Sequence, residues 1–509
     1  MPPHEKLANS LSRLKELHDT GRTVFRSEEL SRTDRERLSK HGYLREMMKG
    51  WLFSADPAAS DGDTTPYYAS FWEFCAAYCG HRFGDDWHLS GVHSLLLLTE
   101  DNTVPKQVTI VSPRASNNVV SLAHGTTLLA LKLPTIPRTD RESKLGVTVM
   151  SVAPALVQVP ESFFVADPAA AQAAMSMVRD GSTLVRKLLE GGHSVVAGRL
   201  AGAFRRVGRN DVADAIVGAM ESADYEVRET DPFADPTRTI RIDRPEAPIS
   251  TRIRALWKDA QVQVATEFRA EPLEAVDAAR YMSFVDDEHR ADSYHSLSIE
   301  GYRVTPELIE RVRTGKWDPE ARDQRNRDAL AARGYFEAFR VVKNCIDRVV
   351  RGEAIDLWNV HGEWYRKLFA PSVAAGLLEP AALAGYRRHA VYLRGSRHVP
   401  PRSEVVSDAM RTLFDLTDAE SDPRVKAVLG HWLFGYIHPY PDGNGRMARF
   451  LMNVLLAQGG YPWTIIRVDD RDEYLSGLES ASVDHDLRPL TQFISAQVTR
   501  ARAAYEARG

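Results

Sequence analysis

Residues 438–449 read His438-Pro439-Tyr440-Pro441-Asp442-Gly443-Asn444-Gly445-Arg446-Met447-Ala448-Arg449, a loop and a helix start between two apolar runs. Upstream, Val428-Leu429, Trp432-Leu433-Phe434 and Ile437 recur at helical spacing, and Pro439 stops that helix just after His438. Downstream, Phe450-Leu451 and Val454-Leu455-Leu456 rebuild a helical apolar face. The stretch Asp442-Gly443-Asn444-Gly445 must then be a tight connection whose glycines tolerate positive φ and close backbone approach. A ring of main-chain N–H groups is thereby expected at a helix N-terminus.

Such a nest binds anions, because its orphan donors and the positive end of the helix dipole converge on one point. Arg446 and Arg449 share the first helical turn, where cations are misplaced on dipole grounds unless an anion sits above them. Asp442 offers one hard oxygen, the way Mg2+ is held when substrate phosphates complete its shell. His438, at the helix end beside this anion site, is placed to take a proton from an attacking hydroxyl. The chemistry expected is phosphoryl or nucleotidyl transfer from a Mg-nucleotide. Any one of these residues alone has an ordinary reading, since Gly-Asn-Gly is a common turn and a His beside Pro is commonly structural. The reading rests on their joint spacing.

The string resembles the motif of Fic domains, His-Pro-Phe-x-[Asp/Glu]-Gly-Asn-Gly-Arg-x-x-Arg, at every position but one, Tyr440 standing for the usual Phe. The resemblance implies AMP transfer from ATP to a hydroxyl of a target protein or of the chain itself. It implies His438 as base, Asp442 on the metal, Asn444, Gly445 and Arg446 on the phosphates beside Gly443, and Arg449 on the γ-phosphate. Three further stretches fit it. Tyr386-Arg387-Arg388 through Pro401, with Tyr392, Arg394 and His398 around a Gly395-Ser396 turn, alternates polar and apolar residues as a hairpin does. It resembles the Fic flap, whose edge would register a target segment by main-chain bonds. Tyr474 stands where Fic proteins often set an aromatic against adenine, and a half-buried helix aromatic reads equally well.

Ser296-Leu297-Ser298-Ile299-Glu300-Gly301 resembles the family's inhibitory motif, here on a helix near 286–301 that precedes the catalytic motif. Ser296 and Glu300 share a helix face, and Gly301 suits the position past a helix end. The resemblance implies a Glu300 pair with Arg449 that displaces the γ-phosphate and holds the enzyme off, or alternatively a glutamate that aligns water for removal of AMP.

The resemblance covers residues 264–509; other domains must fill the first half. Hydrophobic residues make up 43% and charged residues 26% of the 509, ordinary for a soluble globular protein, and the net charge of −4 makes no global claim about nucleic acid. Apolar runs are too short to span a bilayer, and no charged n-region with an apolar stretch opens the chain, so a cytoplasmic location is expected. Cys75, Cys79 and Cys345 do not form a disulfide framework, and Cys75 and Cys79 read as core thiols beside Phe71 and Phe74.

Leu7, Leu11, Leu14 and Leu17 keep one face of a first helix. Ser27 caps a short second helix, Thr33 a third, and a hairpin turns at Lys49-Gly50. This is a winged helix-turn-helix pattern over 1–54. Arg32, Arg35, Arg37 and Lys40 on its third helix are the candidate DNA contacts, although a protein-docking winged helix fits the modest charge bias too. An α+β domain is expected over 55–229, with a helix at Phe71 to Cys79 and strands at Leu95 to Leu98, Gln107 to Val111, Leu128 to Leu133 and Gly146 to Val152. Arg199, Arg205, Arg206 and Arg209 read as a solvated helix face rather than a phosphate track. Prolines 232, 236, 245 and 248 mark a linker over 230–263. The arm resembles the AbiEi-type antitoxin and regulator family, which implies an operator DNA partner; winged-helix readers of two half-sites suggest a homodimer. The fold class expected is multidomain, a mainly α-helical Fic fold with a β-hairpin flap after a winged helix-turn-helix and an α+β domain. The competing function is an ATP-sensing regulator or antitoxin with no transferase activity.

Overall fold

A computed structural model describes residues 3–58, 63–314 and 324–508. Two compact units divide the chain: Met1–Arg252 with Val391–Pro400, and Ile253–Ala390 with Pro401–Gly509.

The first unit opens with α1 (Pro3–His18), β1 (Val24–Arg26), α2 (Arg32–Lys40), β2 (Leu44–Met48) and β3 (Trp51–Ser54). The strands form an antiparallel sheet in the order β1-β3-β2. Lys49-Gly50 turns the hairpin as expected, with Gly50 at φ 90°. Leu14, Phe25, Leu30, Leu38, Leu44 and Leu52 make the small core under it. The expected second helix is only a 3-10 turn at Ser27–Glu29. The cap of α2 is Ser31, whose side chain accepts from Asp34 N, and not Thr33. Ser31 wins because its hydroxyl reaches the N3 amide and is itself bonded to the Asp34 carboxylate at 2.6 Å.

Next come α3 (Thr65–Phe83), β4 (His88–Leu89), α4 (Gly91–Leu98), β5 (Gln107–Val111), β6 (Asn118–Ser121), β7 (Thr127–Leu131), β8 (Arg141–Lys144) and β9 (Val147–Met150). The four-stranded sheet runs β4-β5-β7-β6, with β5 and β7 parallel. Leu95 to Leu98, read as a strand, is helical. Ser90 caps α4 by accepting from His93 N, and a short apolar run has no period that separates a buried helix from a strand. Cys75 and Cys79 are buried free thiols on α3, both pushed up by burial.

Six helices complete the unit: α5 (Val152–Gln158), α6 (Ser162–Ala166), α7 (Pro168–Ser176), α8 (Ser182–Gly191), α9 (Ser194–Arg206) and α10 (Asn210–Ser222). The basic residues of α9 are spent internally. Arg205 pairs with Glu229 at 2.6 Å and Asp214 at 2.8 Å, Arg206 pairs with Asp231, and Arg199 donates to Val159 O. The proline-rich stretch that follows is packed down at its start, with Phe233 and Ile242 buried in the core of this helical layer. Its later part is helical, because α11 (Pro248–Glu267) begins at Pro248, a residue tolerated in a first helical turn.

The second unit continues with α12 (Ala278–Ile299), α13 (Pro306–Arg313), α14 (Gln324–Val350), α15 (Leu357–Ala374), α16 (Val406–Ala419), α17 (Pro423–Ile437), α18 (Asn444–Gln458), α19 (Arg471–Val483) and α20 (Arg488–Ala507). Of α18, only Gly445 and Gln458 are not buried, as expected of the central helix of a bundle. α17 and α14 pack on it, which fixes the two ends of the loop between α17 and α18.

The expected β-hairpin flap does not form. Residues 386–401 hold no strand; their main chain makes a turn, with Ser396 N donating to Leu393 O at 3.1 Å. Arg397 O instead accepts from Val104 N at 2.9 Å, and Pro400 and Pro401 lack the N–H groups a ladder needs. The stretch 391–400 thus belongs to the first unit's core, with His398 and Val399 buried there and Tyr392 packed against it.

Candidate active site

The apolar face of α17 runs to Ile437, and the chain reverses at His438, which adopts φ 51° and ψ 60°. His is among the few residues with a side chain that enter this left-handed region readily, and Pro439 disfavours a further helical residue before it. The His438 amide still closes the helix on Phe434 O at 3.0 Å. The half-buried imidazole places Nδ1 3.2 Å from Gly435 O. With Nδ1–H donating there, Nε2 carries the lone pair and is the basic nitrogen.

From His438 the loop is held by its own side chains. Tyr440 stacks on Tyr365 with centroids 3.8 Å apart and planes 8° apart. Asn444 is 2% exposed and spends its amide on the loop: Oδ1 accepts from Tyr440 N at 2.9 Å and Nδ2 donates to Tyr440 O at 2.8 Å. Its side chain is therefore a brace for the turn, and only its main-chain N–H is positioned for a phosphate. Gly443 precedes α18 at φ 77°, and a Cβ there would lie 2.8 Å from the Phe369 ring. Asp442 accepts from Gly443 N at 2.6 Å through Oδ1, while its side chain is 59% exposed and so open to a cation.

Arg446 and Arg449 stand in the first turn and a half of α18, 1% and 5% exposed. Glu300, the residue that ends α12 before Gly301 at φ 88°, bridges both. Its Oε2 lies 2.7 Å from Arg446 Nε and its Oε1 2.8 Å from Arg449 Nη2. Ser296 completes the hold on Arg449, accepting from Nε at 2.8 Å and, through its carbonyl, from Nη2 at 3.0 Å. The motif thus pairs Glu300 with two arginines, where the sequence pattern implied one. Glu300 also lies over the helix start: a Cβ on Gly445 would be 2.8 Å from its Oε1. Burial works against both guanidinium charges, and the Glu300 charge outweighs it, so both cations are held more firmly than usual.

Arg446 is the most enclosed cation of the loop. Besides Glu300, its Nη2 lies 3.6 Å from Asp442 Oδ2. Tyr302 and Phe369 flank the guanidinium, each centroid 5.2 Å away. Neither ring was legible as a site residue from sequence.

Tyr474 is buried beside Arg449: it is 2% exposed, its hydroxyl lies 2.9 Å from His431 Nε2, and its ring packs 5.7 Å from Phe493. Tyr392, Arg394 and His398 lie in the first compact unit. On α2, Arg32 pairs with Glu36 at 2.8 Å. Arg37 is tied to Ser10 Oγ at 2.7 Å and Lys6 O at 3.0 Å. No helix among the described residues is long and apolar enough to cross a membrane.

The loop and its helices match a known family. Residues 356–456 fit the Fic/DOC family model. A "Protein adenylyltransferase Fic" of Nematostella vectensis is 31% identical over 217 residues, 42% of this chain and 47% of that protein. A protein of the same description from Culex quinquefasciatus is 31% identical over 210 residues, 40% of this chain and 38% of that protein. The chain thus spans less than half the length of these curated relatives. Among solved structures, Fic-1 from C. elegans aligns with 67% of this chain and 98% of its own at 17% identity and a TM-score of 0.39. The similarity to the Fic/DOC family over residues 356–456 thus spans the loop, with His438 closing one helix and the two arginines opening the next.

Proposed function

We propose that the protein is an adenylyltransferase that moves AMP from ATP to a hydroxyl side chain of a protein, and that Glu300 holds it off. One observation carries the reading. Two buried arginines at a helix N-terminus share a single carboxylate, within one short loop of a histidine whose Nδ1 lies 3.2 Å from Gly435 O. A triphosphate would replace the carboxylate on Arg446 and Arg449 and take the first-turn amides of α18. Asp442, exposed and oxygen-bearing, fits as the one protein ligand of Mg2+, which would offset phosphate charge.

The step balances without further partners. The target hydroxyl gives its proton to His438 Nε2 as its oxygen bonds to the α-phosphorus, the bond from that phosphorus to the β-bridging oxygen breaks, and pyrophosphate leaves. With the carboxylate in place the γ-phosphate would meet like charge, so ATP could not settle productively.

The competing reading, an ATP sensor on a regulatory arm, predicts binding without transfer. Glu300→Gly protein incubated with α-labelled and with γ-labelled ATP separates the two. We expect α-label on protein, no γ-label, and loss of the α-label in Glu300→Gly/His438→Ala. Binding with no transfer of α-label would overturn the transferase reading.

A further inference from the structure

Arg387 lies outside the loop motif and 51 residues before His438, yet it grips the corner on which His438 sits. It is 3% exposed. Its Nε donates to His438 O at 2.7 Å and its Nη2 to Ile437 O at 3.2 Å. Its own amide donates to Pro439 O at 2.9 Å. One residue therefore takes three successive carbonyls of the reversal. The same guanidinium reaches His389 O through Nη1 at 3.1 Å, and Pro401 O through Nη2, so both ends of the segment between Tyr386 and Pro401 are tied to the same point.

The arrangement answers two costs at once. A side-chain-bearing residue at positive φ carries backbone strain, and external contacts help hold His438 there. The last carbonyls of α17 are also the negative pole of its dipole, and a buried cation at that pole satisfies them. Burial pushes the guanidinium down to about 10, partly countered by Glu404, and the group stays protonated at neutral pH. Arginine is suited to this because its planar fork addresses several carbonyls in fixed directions, which an ammonium does not.

We infer that Arg387 is a positioning residue for the transfer step: it holds the backbone of Ile437, His438 and Pro439 so that the imidazole keeps Nδ1 on Gly435 O and presents Nε2. The inference rests on the transferase reading above. Its test uses the full chain carrying Glu300→Gly, with Arg387→Lys and Arg387→Met added separately. Expected are ATP affinity within about twofold of the parent, a turnover at least tenfold lower in Arg387→Met, and partial recovery in Arg387→Lys. Unchanged turnover, or a fall in turnover matched by an equal loss of ATP affinity, overturns it. So does failure of both variants to fold, which would make Arg387 a folding residue. Independently of turnover, the 15N imidazole signals of His438 should show one tautomer in the parent and lose that preference in Arg387→Lys; an unchanged signature overturns the inference. A parent that binds ATP but transfers nothing would instead sink the transferase reading, and the imidazole signals would still decide the role of Arg387.

Discussion

Replacing Glu300 by Gly should make the protein less stable and more active together, and the structure sets the size of both effects. The Glu300 carboxylate neutralises two guanidiniums that are 1% and 5% exposed, at 2.7 and 2.8 Å. Removing one side of a buried pair costs about 3–5 kcal/mol, because the remaining charge is left without compensation. The carboxylate is itself 19% exposed, so water enters the vacated space and the lower end of that range, about 3 kcal/mol, is the better figure. For a unit of this size that is a fall in Tm of about 6–12 °C. ATP with Mg2+ at ~100 times its Kd should return about 2.7 kcal/mol by mass action, as phosphate oxygens take the carboxylate's place. The unsubstituted protein should gain much less, since its own carboxylate competes for the same cations. Differential scanning fluorimetry with and without ATP gives both shifts, and α-labelled ATP gives the transfer rate on the same samples. A variant with an unchanged Tm, an ATP shift equal to the parent's and no added labelling would refute the argument.

Asn444→Ala should leave Tyr440 N and O unpaired in a buried turn and cost about 1–3 kcal/mol for each group, read as a lower Tm without ATP. A variant that kept its Tm but lost ATP affinity would mean that the amide binds phosphate directly. Asp292, a buried residue of α12 with Oδ2 2.6 Å from the Tyr335 hydroxyl, has its carboxyl pushed up by burial to about 7, against the Tyr335 bond and the Arg449 charge. Its folded value lies above the unfolded one of about 3.9, so the unfolded chain releases this proton first and stability falls as pH rises from about 4, the loss being complete above about 7. Asp292→Asn should therefore gain on the parent between pH 5 and pH 8, by up to about 3 kcal/mol, in urea unfolding at the two pH values. Parallel pH profiles would show that the carboxyl titrates normally.

The sequence alone determined the short-range parts of this site. Pro439 had to end a helix beside His438, two glycines had to make the turn, and the apolar period on either side had to make two packed helices; each follows from a backbone rule that acts within a few residues. The same locality made α3 and the hairpin at Lys49-Gly50 readable. What only tertiary structure decided is which partner each polar group meets across long stretches of chain. Glu300 reaches Arg446 as well as Arg449 because α12 ends over the start of α18, and Asn444 turned out to brace Tyr440 because burial left its amide no solvent to face. Tyr474 was absorbed into packing, Leu95 to Leu98 became a helix once Ser90 capped it, and the segment 391–400 gave up its hairpin when Val104 took Arg397 O. Arg387 is the sharpest case: a charged residue in an unremarkable Tyr-Arg-Arg run becomes a buried clamp only because the end of α17 supplies three carbonyls with no other donors in their own helix, a demand that no spacing rule records.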